Sequence, residues 1–231
     1  MKKIGVLVWL PVVCVFFVIL AGCSNGSTNY PDGTVVCLGD SLTEGYGAVT
    51  PGVVDKSKSY PVFLQNKVNI PVINAGVSGN TSAQGLARVN ADVLSKNPKI
   101  IVIILGANDL GHRIPAATTK DNLQNIIDKV DNGDRKIYLA KFYTEAVARA
   151  LANTFGLTDY AFQTALISEY DDLFNTLASE NNLTLIEDIW NGVWGVNMSD
   201  PVHPNAKGYE IMANNIFRVL QPYLLDNDLL K

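Results

Sequence analysis

The sequence predicts a doubly wound α/β fold, a three-layer αβα sandwich on a five-stranded parallel sheet. Three observations carry that prediction. Residues 100–105, Ile-Ile-Val-Ile-Ile-Leu, are apolar at every position, so a strand there has no solvent face. Strands covered on both sides belong to parallel sheets enclosed by helices. Five short apolar runs alternate along the chain with stretches of helical periodicity, the pattern of βαβ units. Several runs also stop at clusters of small and polar residues, and in open α/β sheets the working groups gather beyond the carboxyl ends of the strands.

The first 22 residues stand apart from this pattern. Lys2 and Lys3 precede an uncharged, mostly apolar stretch from Ile4 to Gly22, and Leu20-Ala21-Gly22-Cys23 closes it. A basic start, an apolar stretch and small residues before a cleavage point describe an export signal. The Leu-Ala-Gly-Cys terminus resembles a bacterial lipobox, which implies lipidation of Cys23 as the first mature residue. The alternative is an uncleaved anchor, because residues 4–22 are long enough to span a bilayer. Both readings tether the chain outside the cytoplasm. Ser24 after Cys23 resembles the outer-membrane sorting pattern of sources with two membranes. Removing Lys2 and Lys3 takes the net charge from −4 to −6. An acidic chain with no basic cluster is poorly suited to nucleic acid.

Residues 23–33, polar and rich in turn formers, read as the lipidated cysteine and a short flexible tether. The domain runs from residue 34 to 231. Strands are expected at Thr34–Leu38, Val72–Ala75, Ile100–Leu105, Lys136–Phe142 and Leu183–Ile186. Helices are expected at Tyr60–Val68, which follows Ser59, and at Ser82–Leu94, Lys120–Val130, Tyr160–Ser179 and Asn205–Leu220, these four each with an apolar stripe at helical spacing. Of the three cysteines, Cys14 lies in the signal and Cys23 is the lipid candidate. Cys37 then remains alone in an apolar strand, as a small core residue. No cysteine metal site can be built, and no metal or cofactor is expected.

Candidate chemistry sits at the strand ends. Gly39-Asp40-Ser41 follows the first strand, Gly76-Val77-Ser78-Gly79-Asn80 the second, and Gly106-Ala107-Asn108-Asp109 the third. Ser41 has two readings. Ser41-Leu-Thr-Glu44 fits a capping box, with Ser41 and Glu44 satisfying the first amides of a helix. A serine exposed at a sheet edge is equally placed to be a nucleophile, provided a base reaches it. The chain has two histidines, His112 and His203. Asp200-Pro-Val-His203 puts a carboxylate on the same tight turn as an imidazole, the arrangement that fixes a general base. An ordinary loop histidine beside a turn-forming aspartate is the plain alternative. His112, next to Arg113, reads as a solvent-facing loop residue. Ser41 at a helix start, Gly79 in a tight turn and Asn108 at a strand end each offer an N–H to a developing oxyanion.

The order of these blocks resembles the SGNH, or GDSL, hydrolases. Residues 74–88, Asn-Ala-Gly-Val-Ser-Gly-Asn-Thr-Ser-Ala-Gln-Gly-Leu-Ala-Arg, resemble their secreted thioesterase and lysophospholipase branch. The likeness covers roughly residues 34–222 and implies the flavodoxin-like arrangement of that fold. It also implies Ser41 as nucleophile, Asp200 and His203 as orienter and base, and Ser41, Gly79 and Asn108 as oxyanion donors. The implied substrate is an acyl ester or thioester of lysophospholipase, thioesterase or arylesterase type. A carbohydrate O-acetylesterase is the alternative. A non-catalytic surface-binding lipoprotein is the rival from another class. Asp40, Trp190 and Trp194 are candidate substrate contacts; Asp40 is also read as a brace for its loop. Two departures stand out. The third block has Ala107 where a second glycine is also familiar. Residues 143–160 form a longer, irregular segment that can wall or cover the cleft.

Overall fold

The computed structural model describes residue 30 and residues 32–231. The export signal at 1–22, Cys23 and most of the tether lie outside the described residues. Five parallel strands form one sheet, in the order β2-β1-β3-β4-β5. They are β1 (Thr34–Gly39), β2 (Val72–Gly76), β3 (Pro98–Ile104), β4 (Lys136–Ala140) and β5 (Thr184–Ile186). Ile100–Ile104 have no exposed surface, as a strand without a polar face requires. Cys37 is buried in β1. Burial pushes its thiol up to about 12, against an opposing hydrogen bond with Tyr60.

The described helices are α1 (Ser41–Glu44), α2 (Tyr60–Gln65), α3 (Ser82–Ala87), α4 (Val89–Asp92), α5 (Ala107–Gly111), α6 (Ala116–Val130), α7 (Glu145–Thr154), α8 (Tyr160–Glu180) and α9 (Ala206–Asp226). Strand order reverses after β2, so right-handed crossovers put α2 on one face and the later crossover helices on the other. Accordingly α2 packs on α9, whereas α3 packs on α6 and α6 on α8. The α6 stripe of Leu123, Ile126, Ile127 and Val130 is buried, which is what holds it to the sheet. Among the described residues no helix is long and apolar enough to cross a membrane.

Three local expectations need correction. The helix expected over 82–94 is two helices, because the chain turns out of helical geometry at Arg88 (φ −105°, ψ 3°). The last helix continues through Pro222 to Asp226, where buried Leu224 extends its packed face. Residues 143–160 are not irregular throughout: Thr144 caps the ten-residue α7 by accepting a hydrogen bond from the Val147 N–H, and only the flanks of that helix lack regular structure.

Candidate active site

Ser41 is the first residue of α1, at the carboxyl end of β1. The capping-box reading is overturned, because Asp40 caps the helix. Its Oδ1 accepts from the Leu42 N–H at 3.0 Å. Glu44 turns instead to the neighbouring loop, accepting from the Ser78 N–H and hydroxyl at 2.8 and 2.7 Å. That division of labour leaves the Ser41 hydroxyl uncommitted to the backbone. Two glycines let α1 sit this close to the strands. A Cβ at Gly39 would strike the Thr43 side chain, and one at Gly76 would strike the Glu44 backbone.

Ser41 Oγ lies 2.9 Å from His203 Nε2. The other ring nitrogen, Nδ1, lies 2.8 Å from Asp200 Oδ2 and 3.0 Å from Oδ1. Asp200 Oδ1 also accepts the backbone N–H groups of Val202 (2.9 Å) and His203 (2.8 Å). Partial burial works against the charge of Asp200. The Val202 N–H, the His203 ring and the His203 N–H outweigh it and hold the carboxyl below its ordinary range. An ionised carboxylate at Nδ1 favours the proton there, which leaves Nε2 as an acceptor for the serine hydroxyl. The Tyr46 ring packs on the imidazole, centroids 4.6 Å apart. Tyr209 ties the serine's helix to the following turn by donating to the carbonyls of Tyr46 (2.8 Å) and Ser41 (3.3 Å).

Gly79 and Asn108 stand on the same cavity. Gly79 has φ +80° with open space where a Cβ would be, so the backbone conformation is what calls for glycine. Asn108 Nδ2 donates to the Asn80 carbonyl at 3.0 Å and stands 3.5 Å from Asp40 Oδ2. The longer contact is at the limit of a hydrogen bond, so the hydrogen not given to Asn80 is only weakly held.

The cavity has a volume of about 380 Å³, within the range of small-molecule sites. One end carries Ser41, His203, Gly79 and Asn108. Its apolar wall includes Phe142, Trp190 and, from α7 and the residue after it, Val147, Leu151 and Phe155. These last three lie in the 143–160 segment expected to wall or cover the cleft, although none of them was singled out in the sequence. Their signal was Val147 and Leu151 one turn apart behind a Thr cap. Trp190 is 3% exposed and its indole N–H donates to the Phe142 carbonyl, so it is both wall and brace. Trp194 is not on this cavity; it stacks edge-on against Trp190 and borders a separate shallow depression beside Asp200. Asp40, 1% exposed, is likewise behind the cavity wall rather than on it. His112 is at the end of α5, with Nδ1 2.7 Å from the Asn108 carbonyl and its ring edge-on to Phe155.

The sequence model of the GDSL-like lipase/acylhydrolase family matches residues 37–211, a span that includes all four blocks. Esterase TesA of Pseudomonas aeruginosa is 26% identical over 83% of this chain and 89% of its own length. The thioesterase 1/protease 1/lysophospholipase L1 of Escherichia coli K12 is 28% identical over 84% of this chain and 86% of its own. Among solved structures, a lipase/acylhydrolase from Enterococcus faecalis superposes with a TM-score of 0.65 at 26% identity, covering 86% of this chain and 97% of that one. The family match spans most of the domain, and the parallel sheet it requires is the one observed. The chain therefore belongs to the GDSL-like lipase/acylhydrolase family and is an ester-hydrolysing enzyme.

Proposed function

We propose that the protein is a serine esterase that cleaves acyl esters or thioesters with Ser41 as nucleophile, His203 as base and Asp200 as orienter. The observation that carries this reading is the 2.9 Å approach of Ser41 Oγ to His203 Nε2, with Asp200 behind the ring. His203 Nε2 takes the hydroxyl proton as Ser41 Oγ attacks the carbonyl carbon. The oxygen becomes an anion facing the N–H groups of Ser41, Gly79 and Asn108. Collapse expels the alcohol or thiol, which leaves with the proton from His203. A water then gives a proton to His203 and attacks the acyl-enzyme, releasing the acid and restoring the serine.

The lining supports an acyl chain longer than acetyl. Val147, Leu151, Phe155 and Trp190 offer no polar partner for a sugar ring except the one indole N–H, and that is already bound to Phe142. Each buried methylene of a chain there contributes roughly 0.8 kcal/mol. A panel of esters and thioesters of increasing chain length, run beside Ser41→Ala and a fluorophosphonate label, tests the reading. Activity on acetyl esters alone would favour the carbohydrate O-acetylesterase. A folded protein that neither turns over nor labels would favour the binding lipoprotein.

The export signal and Cys23 support a membrane-anchored, extracytoplasmic enzyme, and the described residues bear on how such an enzyme would stand. Tyr30 is held beside the amino end of β3, its carbonyl accepting from Asn97 Nδ2 at 2.7 Å. That is the edge of the sheet opposite Ser41. Seven residues from Cys23 to Tyr30 reach at most about 25 Å. A domain of this size is about 40 Å across. An anchor at Cys23 therefore keeps the cavity turned away from its own bilayer. The substrates this favours are esters arriving through water, such as dispersed lysophospholipids or thioesters.

A further inference from the structure

We propose that Arg88 is the positioning residue that aligns the oxyanion donors; this rests on the serine-esterase reading above. Arg88 occupies the break between α3 and α4, and its side chain is mostly buried. Its guanidinium reaches the strand end before Ser41 and both sides of the turn that carries Gly79. Nη2 donates to the Gly39 carbonyl at 2.7 Å, one residue before Asp40-Ser41. Nη1 donates to the Ala75 carbonyl at 2.7 Å, at the end of β2 where the loop to Gly79 begins. Nε donates to Asn80 Oδ1 at 2.8 Å. Asn80 follows Gly79, and its own carbonyl holds Asn108 Nδ2 at 3.0 Å. One rigid planar group thus fixes the strand that delivers Ser41, the loop that carries Gly79 and the partner of the Asn108 amide.

The remaining contact, Nη1 to Asp92 Oδ2 at 3.0 Å, is an i,i+4 ion pair with a partly exposed partner. Pairs of that kind contribute little on their own. The carbonyl contacts are different, because they lie at the strand ends where small displacements matter. Donors aimed at a transition state must be held within about half an ångström. Lysine cannot substitute, since it has a point charge and no planar fork with which to reach three acceptors in different directions.

A double-mutant cycle between Arg88 and Asn108 tests this on the whole domain, with a soluble p-nitrophenyl ester. Arg88→Met should lower kcat by about 10–10² with KM within about twofold, because the loss falls on the transition state. Asn108→Ala should lower kcat by about 10²–10³. In the double variant the Arg88 substitution should cost less than it does in the wild type, since part of its effect passes through the Asn80 partner of the Asn108 amide. Arg88→Lys, which keeps the charge, should retain the fold and still show the kcat loss. Wild-type kcat in either Arg88 variant, or losses that multiply in the double variant, would overturn the role. If Arg88→Met does not fold, Arg88→Lys is carried through the same cycle. Wild-type kcat in Asn108→Ala would instead strike the oxyanion reading itself.

Discussion

Glu44 and Ser78, from different strand ends, are joined by two hydrogen bonds to one carboxylate oxygen, 2.8 Å from the Ser78 N–H and 2.7 Å from its hydroxyl. The helix that begins with Ser41 and the loop that holds Gly79 are thereby locked together. Lys56 pairs with the other oxygen at 3.2 Å. Burial opposes the charge on Glu44, but the two Ser78 bonds and Lys56 prevail and lower its pKa from the ordinary 4.5.

Glu44→Gln is the first variant this suggests. A hydrogen bond to a charged group contributes about 1.5–3 kcal/mol. Part of that should be lost at neutral pH, with kcat falling about tenfold as the Gly79 loop loosens. Because the folded pKa is depressed, the contribution is present above pH 4.5 and disappears as pH falls through the folded value. Wild type and variant should therefore converge in stability at acid pH. Denaturant midpoints at pH 7 and pH 3.5 measure this, and an equal gap at both would contradict it.

The catalytic roles predict unequal losses. Ser41→Ala should lower kcat by about 10⁶, as removal of the nucleophile does in serine hydrolases. Asp200→Asn should lower it by about 10⁴, because an amide can hold the ring in the wrong tautomer. Both variants should bind substrate with nearly unchanged affinity, since neither residue forms the apolar wall. Single-turnover kinetics separate binding from chemistry. An Asp200→Asn enzyme within tenfold of wild type would assign the orienting role elsewhere.

Asp40 predicts the opposite pH trend to Glu44. Burial, set against the Leu42 N–H and reinforced by the negative charge of Asp109, raises its pKa from 3.8 to about 7. A raised folded pKa gives stability that is full below about pH 4 and is lost as pH rises through about 7. Asp40→Asn keeps an oxygen for the cap but never ionises. Its stability relative to wild type should thus improve steadily between pH 4 and pH 8. Parallel pH curves for the two proteins in urea unfolding would show that Asp40 stays ionised throughout.

Legibility followed the physics of each element. The β3 run was readable because both faces of a central parallel strand are buried, so Ile100–Ile104 left no doubt between strand and loop. The cap of α1 was not readable, because Asp40 and Ser41 are both good caps and Ser-x-x-Glu fits a box whichever residue is used. Only the three-dimensional approach of Ser78 showed where Glu44 is needed. The order of blocks brought Ser41, Gly79, Asn108 and His203 to one edge of the sheet, since parallel strands present all their carboxyl ends together. Helix α7 was obscured because four of its ten residues are alanine, so only Val147 and Leu151 stand out as large apolar residues on its buried face. Arg88 could not be singled out, as the two bonds that tie it to the ends of β1 and β2 go to backbone carbonyls that any sequence possesses.

The tether makes a prediction about access. A full-length, anchored enzyme should hydrolyse soluble thioesters at the rate of the free domain, yet act poorly on lysophospholipid embedded in its own vesicle. Inserting about 20 Gly/Ser residues after Asn29 adds a flexible coil with a root-mean-square span of about 25 Å. That should raise activity on the embedded substrate several-fold and leave the soluble substrate unaffected. Equal action on both substrates before insertion would mean that the cavity already reaches the membrane.

Phe155 should set the length of acyl chain the cavity accepts. It is 37% exposed, follows α7 and forms part of the apolar wall. Its ring lies in a seat left by Gly111, where a Cβ would come within 2.5 Å of the ring carbons. The His112 ring closes against it at 5.0 Å between centroids. Phe155→Ala removes this barrier while leaving Ser41, His203 and Asn108 untouched. Discrimination by a hydrophobic pocket is about 1–3 kcal/mol per methylene. The ratio of kcat/KM for dodecanoyl over octanoyl esters should therefore rise about tenfold or more, with acetyl ester hydrolysis unchanged. Gly111→Val, by pushing the ring out of its seat, should change the same ratio while keeping the phenyl group. A chain-length profile indifferent to both substitutions would place the acyl chain along a different wall of the cavity.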